Sequence, residues 1–282
     1  MLSGSRCEEP EARKQSLPFL NWKGCRVATL LAMTLVLIAC TGKRQDKLLE
    51  SAKESLLKSN YAESAELFKK VIALNPESDQ ALEAMYRLGD TEETHLKDYE
   101  AALFNYKEFI RHSKDPKSVY EIQKKVAEIY FNQLSDSEKS IVAYKKLIEL
   151  DPLSPEADQF QFKIAQTFFR TNQFEQARIE YQSMIDRYPK TNLIARARFE
   201  IGNSYYMEGK YDTGADALKH AIRLHPQGEF AVEAEFLLAQ CYEQSGKLKE
   251  ALQTYENLES RYPSKSVLNF RKEEIKKLIK KK

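Results

Sequence analysis

The sequence predicts an all-α solenoid of five to six helix pairs, closed by a C-terminal capping helix. Three observations predict it. Pro152, Pro189, Pro226 and Pro263 stand 37 residues apart, and Pro116 and Pro76 extend the series backward by steps of 36 and 40; a fixed period of this size marks stacked copies of one supersecondary unit. Each proline closes a phrase such as SEKSIVAYKKLIELDP or YDTGADALKHAIRLHP, in which apolar or small residues recur at three and four, the period of an amphipathic helix. Proline then ends that helix, because it has no N–H to donate and disfavours the helical region for the residue before it. Composition agrees, with only 9 glycines in 282 residues and no alternating apolar pattern that would suit a strand.

Ahead of the repeats, RVATLLAMTLVLIACTGKRQ (Arg26 to Gln45) breaks with everything around it. Its uncharged run from Val27 to Gly42 is 16 residues long, whereas a bilayer-spanning helix wants roughly 20. Lys23 and Arg26 supply a basic n-region, VATLLAMTLVLI an apolar h-region, and small residues follow, the pattern of a secretory signal. Residues 1–39 are therefore expected to be removed and 40–46 to form a short linker. Met1 to Trp22 is long for an n-region and carries Glu8, Glu9 and Glu11, which places the expected true start downstream, near Leu20.

The end of this segment, Leu37, Ile38, Ala39 and Cys40, resembles the lipobox of bacterial lipoproteins. The resemblance implies cleavage before Cys40 and lipidation of that cysteine, so that the chain attaches to a membrane through its N-terminus. Two or more acyl chains give stable anchoring where one gives marginal binding. In such lipoproteins an Asp after the cysteine signals inner-membrane retention. Thr41 stands there instead, which implies the outer membrane, with the chain facing the periplasm.

Removing residues 1–39 takes away five basic and three acidic side chains, so the formal charge of +2 falls to zero, with 39 of each sign remaining. That balance argues against a general nucleic-acid binder. Of Cys7, Cys25, Cys40 and Cys241, only the last two survive cleavage. With Cys40 acylated no intramolecular disulfide remains, and Cys241 reads as a packed helix residue.

The array is expected over 47–263. A second helix precedes each proline phrase: in ARARFEIGNSYYMEGKY the residues Ile201, Gly202 and Tyr205 share one stripe, Gly209 supplies the turn and Tyr211 opens the next helix. The following unit repeats this with Leu238, Ala239, Tyr242 and Gly246, then Ala251 and Tyr255. These residues resemble the tetratricopeptide repeat, which implies a right-handed solenoid whose small residues allow close helix approach and whose aromatics fill the space between units. The match is tight in the last three units and looser before. Ser55 stands where an aromatic is expected, DTEETHLKD carries extra residues in the second unit, and NQLSDSEK makes an irregular turn in the third.

After Pro263, residues 264–282 read as a basic capping helix. Val267, Leu268, Arg271, Ile275, Leu278 and Ile279 form its expected packed stripe, and Lys280 to Lys282 complement its C-terminal dipole.

Chemical motifs are few. His95, His112, His220 and His225 make no metal-ligating pair, and the chain has no phosphate-binding glycine loop, GxSxG or CxxC. The expectation is a non-enzymatic protein with no metal and no cofactor. A different signal comes from aligning the last three units: Phe162, Phe199 and Phe236 recur at 37, four residues before Gln166, Asn203 and Gln240, and three further on come Phe169, Tyr206 and Glu243. The resemblance implies that such amides line a concave groove and hold the backbone of a bound peptide, with aromatics as anchors. The phenylalanines lie at the boundary of the packed stripe, so inter-unit packing is the alternative for that row.

The phrases DRYPKTNLIARARFEIGNSYYMEGKYDTGADAL and SRYPSKSVL resemble two envelope families, the lipoprotein subunit of the outer-membrane β-barrel assembly machinery and the Tol-Pal-associated cell-division coordinator. Type IV pilus assembly lipoproteins are a third resemblance. The partners they imply are envelope proteins or peptide segments. A small-ligand or peptidoglycan-binding regulator of a cell-wall enzyme is the alternative of a different class, and would require a closed pocket with converging polar groups.

Overall fold

The computed structural model describes residues 41–281, which form helices joined by short turns, with no strand among them. The signal segment, its cleavage motif Leu37, Ile38 and Ala39, and Cys40 lie outside the described residues. Helix α1 covers 41–57 and pairs with α2 (Tyr61–Leu74). The next pairs are α3 (Asp79–Thr91) with α4 (Tyr99–His112), α5 (Pro116–Glu128) with α6 (Ser137–Leu150), and α7 (Ala157–Arg170) with α8 (Phe174–Arg187). Then come α9 (Ile194–Met207) with α10 (Tyr211–Leu224), α11 (Ala231–Gln244) with α12 (Leu248–Asn257), and the lone α13 (Lys265–Lys281). Consecutive helices pack on one another throughout. Six pairs and a cap are present, the upper of the two expected counts.

Two columns of residues explain the pairing. On the first helices Ala52, Gly89, Ala127, Ala165, Gly202 and Ala239 are buried. Opposite them on the second helices stand Phe68, Tyr106, Tyr144, Tyr181, Leu218 and Tyr255, each essentially inaccessible to solvent. Small residues admit the rings, and each buried ring contributes on the order of 2–3 kcal/mol. The fit is tightest at the glycines: a Cβ on Gly202 would fall 2.6 Å from Leu218 and one on Gly89 2.7 Å from the Tyr106 ring.

The turns within pairs come in two forms. In units one, four, five and six a single left-handed residue closes a short turn, at Ser59, Asn172, Gly209 and Gly246. The chain then bonds back five residues, as in Lys210 N to the Tyr205 carbonyl at 2.9 Å and Lys247 N to Tyr242 at 2.8 Å. Units two and three carry one extra residue. There the first helix ends in a π-turn, Glu92–Leu96 or Ile129–Gln133, the left-handed residue is Lys97 or Ser135, and the closing bond spans six residues, Asp98 N to Glu92 and Asp136 N to Tyr130. Widening the last turn absorbs an insertion without shifting the columns. The same two aspartates cap the following helices, accepting from Ala101 N and Lys139 N at 3.1 Å, which satisfies N–H groups the helix leaves open.

Four expectations are corrected. Pro116 opens α5 rather than closing α4, with Asp115 as its cap; the missing N–H costs nothing in the first turn. The expected linker 40–46 is helical from residue 41, and Gln45 is buried, its Nε2 donating to the carbonyls of Val71 (2.9 Å) and Asn75 (3.2 Å), which α2 leaves unpaired at its end. Helix α12 stops at Asn257, well before Pro263, and tight turns carry the chain on. On α13 the buried positions are Leu268, Lys272 and Ile275, with Ile279 partly buried, whereas Val267 and Leu278 are exposed. The stripe sits one step round the helix because Lys272 packs its stem and reaches Glu259 at 3.0 Å.

Candidate functional site

The residue after each small-column position turns away from the helix partner. In chain order this outer column is Lys53, Asp90, Glu128, Gln166, Asn203 and Gln240, charged in the first three units and amide in the last three. The charged members are all engaged. Lys53 pairs with Glu83 of the next unit at 2.9 Å, Asp90 with Lys125 at 3.0 Å, and Glu128 accepts from the Tyr144 hydroxyl at 2.7 Å. The amides are half-buried, and the Gln166 and Gln240 side chains make no hydrogen bond among the described residues. Asn203 Nδ2 donates to Glu200 Oε2 at 3.1 Å. Burial, countered in part by that bond, raises the Glu200 carboxyl above its ordinary range.

The aromatic rows are spoken for within the fold. Phe162 is buried and meets Tyr181 at 5.2 Å, Phe199 stacks on Phe230 at 5.8 Å, and Phe236 stacks on Tyr262 at 4.5 Å. Phe169 meets Phe174 at 5.4 Å and Tyr206 meets Tyr211 at 5.5 Å, rings that close the turns of their own units. These five side chains pack between helices and units, the alternative left open for the phenylalanine row, and Phe169, Phe199, Tyr206 and Phe236 remain partly exposed. A ring at the boundary of the packed stripe gains more from dense neighbours than from half-exposure.

Beside the amides on α9 stands Arg196, whose guanidinium lies 5.0 Å from the Phe162 ring and 5.6 Å from Phe230. Its Nε is buried without a partner. Sequence spacing did not single it out, because an arginine seven residues before Asn203 has no counterpart in the neighbouring units. Pro152, Pro189 and Pro226 follow the ends of α6, α8 and α10. Tyr242 is partly buried between two core clusters, and Tyr205 carries the Arg178 guanidinium 4.1 Å above its ring.

Cys241 is buried, and burial pushes its thiol up to about 11, away from reactivity. Among the described residues there is no cluster of His, Cys, Asp and Glu suited to a metal, and no helix long and apolar enough to cross a membrane. The larger clefts are open rather than enclosed and lie along the second helices. One of about 760 Å³ runs between α6 and α8, floored by α7.

Two family profiles, both described as tetratricopeptide repeat, match residues 52–110 and 195–266 and residues 159–191, between them more than half of the chain. This is a tetratricopeptide-repeat protein. Several solved structures are similar to the chain at low identity. A tetratricopeptide repeat protein from Parabacteroides merdae is 19% identical, with 82% of this chain and 85% of that one covered and a TM-score of 0.48. The apo form of RapI is 15% identical over 78% of each chain, at 0.50. A structure of Naa15/Naa10 bound to HypK-THB contains a chain that is 15% identical, with 87% of this chain and 36% of that one covered, at 0.66. No curated protein sequence matches the chain. Tetratricopeptide arrays are protein–protein interaction scaffolds that present stacked helix faces to segments of their partners.

Proposed function

We propose that this tetratricopeptide-repeat protein is a non-enzymatic, lipid-anchored scaffold of the bacterial cell envelope, which captures segments of envelope proteins. Outer-membrane protein assembly is the favoured setting. The observation that carries the capture reading is the amide column. Gln166, Asn203 and Gln240 recur at the unit spacing, and two of the three have no hydrogen-bond partner among the described residues. A side-chain amide offers one acceptor and two donors, which suits the alternating N–H and C=O groups of an extended peptide. Such groups left idle along one line of a solenoid are ready for a chain laid across the units. Open clefts without converging catalytic groups favour this over a small-ligand regulator. The lipid anchor rests on the sequence Leu37 to Cys40 alone.

Two experiments test the reading. Mass spectrometry of the mature N-terminus from fractionated cells should find an acylated Cys40 in the outer-membrane fraction, and an unprocessed segment there would remove the anchor. For the groove, the Asn203→Ala, Gln240→Ala double variant should lose partner capture about tenfold or more while its melting temperature stays within about 2 °C of the parent. Undiminished capture would take the amide column out of the account.

A further inference from the structure

We infer that the outer face between α4 and α6 is a second docking cleft, which takes an acidic peptide segment through one aliphatic side chain. The inference rests on the reading of the array as a capturer of protein segments, and names a surface and a partner chemistry apart from the amide column. The cleft holds about 430 Å³ and is floored by α5.

Its floor carries an amide that makes no bond within the fold. Gln123 is 5% exposed, lines the cleft, and its amide makes no hydrogen bond among the described residues. The equivalent residue of the next unit shows what is missing. Gln161 is buried to the same degree and lines the cleft between α6 and α8, where its Nε2 donates to Glu180 Oε2 at 2.6 Å. The position of Glu180 on α8 is occupied on α6 by Ala143. One substitution thus leaves a buried amide idle and the wall above it apolar. That amide is open to the cleft, and a peptide carbonyl or N–H entering there would bond to it.

The lining sets the chemistry of the occupant. Ile110, Val126 and Val142 form the apolar walls, and Val142 is 67% exposed on α6, more than an isolated core residue would be. Around them stand Lys107, Lys139 and Lys146 against the single acid Glu138. Lys107 and Lys139 flank the Tyr130 ring at 5.3 and 5.5 Å, with Lys107 Nζ donating to the Tyr130 hydroxyl at 2.6 Å. Lys139 is paired with Asp136, whereas Lys107 and Lys146 have no ion-pair partner among the described residues. An aliphatic side chain flanked by carboxylates complements this surface in both shape and sign.

The test uses short fluorescein-labelled peptides in which two leucines are flanked by aspartates, by serines or by lysines, titrated into the full chain and followed by anisotropy. The aspartate peptide should bind best. Ala143→Glu, which places a carboxylate over Gln123 as in the next unit, should weaken it by about tenfold or more. The exposed double reversal Lys107→Glu, Lys146→Glu should do the same and turn the preference toward the lysine peptide, which keeps the test valid should Ala143→Glu melt early. Binding that survives both variants overturns the inference, as does a failure of the aspartate peptide to bind. Loss of the peptide only in the Asn203→Ala, Gln240→Ala variant would assign it to the amide column, leaving the capture reading intact and this cleft without a role. Displacement of the cleft variants from phosphatidylglycerol vesicles with no peptide effect would assign the surface to lipid and equally overturn it.

Discussion

Units two and three and units four to six build the same helix pair by different means. The later units use a short turn with one left-handed residue, a regular 37-residue step and neutral amides on the outer column. The earlier ones insert a residue, absorb it in a π-turn and cap the next helix with aspartate; ion pairs tie unit to unit in both regions, Lys125 to Asp90 in the earlier and Arg178 to Glu208 in the later. The column tyrosines of the earlier units donate to glutamates at 2.7 Å, Tyr106 to Glu93 and Tyr144 to Glu128; in the later units Tyr255 reaches Glu243 at 3.2 Å and Tyr181 has no partner among the described residues. On the outer column the earlier units engage both of their charged groups, Asp90 and Glu128, whereas the later units engage Asn203 and leave Gln166 and Gln240 without a partner among the described residues. Capacity to bind is therefore unevenly distributed along a molecule whose backbone is nearly periodic.

The glycines test that contrast most strongly. Gly89→Ala drives a methyl into the Tyr106 ring, which is pinned by its hydroxyl, so overpacking of about 1–3 kcal/mol outweighs the helix-propensity gain. Gly202→Ala meets Cγ and Cδ2 of Leu218, a buried side chain that no hydrogen bond pins and that can shift as a whole, and its cost should be the smaller by about 1 kcal/mol. Denaturant titrations of both variants measure the difference; equal midpoints would mean that the two regions yield alike.

Removing single hydroxyls sharpens the same comparison. Tyr144→Phe removes the donor to Glu128 Oε1, leaving the carboxylate only Asn132 on its other oxygen, and should lose about 1 kcal/mol. Tyr181→Phe should change stability by less than about 0.5 kcal/mol, because its hydroxyl has no partner among the described residues. A larger loss for Tyr181 than for Tyr144 would break the proposed division.

The smallest expected effect concerns Glu92, buried where units three to six carry an aromatic, with Asn105 Nδ2 donating to it at 2.7 Å. Burial raises its pKa above the ordinary 4.5, against that hydrogen bond. As pH rises the unfolded chain ionises first while the fold still holds the proton, so stability falls through the window above 4.5 and stays lower at neutral pH. Glu92→Gln keeps an acceptor for Asn105 and should be the more stable at pH 7, with the advantage fading below the ordinary glutamate range. Melting curves across that range check it, and an unchanged slope would mean that Glu92 is ionised in the fold at no cost.

Much of the fold was legible because proline and glycine act locally. A proline two residues past a helix end, or a glycine in a left-handed turn, needs no tertiary partner to be read. The π-turns showed in the sequence only as misfit, since an inserted residue is visible while the means of absorbing it depends on the packed columns. Pro116 was misread because the same ring suits a helix end or a first turn, and the Asp115 cap decides between them. The amide column was visible in three units but not in six, because its earlier members are charged and the likeness is one of position rather than residue type. The packing of the phenylalanines was hidden for a reason spacing cannot carry: the rings against two of them, Phe230 and Tyr262, come from the approach to the following unit. The α4–α6 cleft was invisible to the sequence, since it exists through an alanine where a neighbour has glutamate.

Gln45, locked into the end of α2, has a further consequence once Cys40 is taken as the acylated terminus. Five residues separate them, and a helical path of that length covers only about 7 Å. The array would then hang on a very short leash, with its first pair held against the lipid headgroups and little freedom to swing. Search for a partner would become a problem in two dimensions, confined to proteins that emerge beside the anchor.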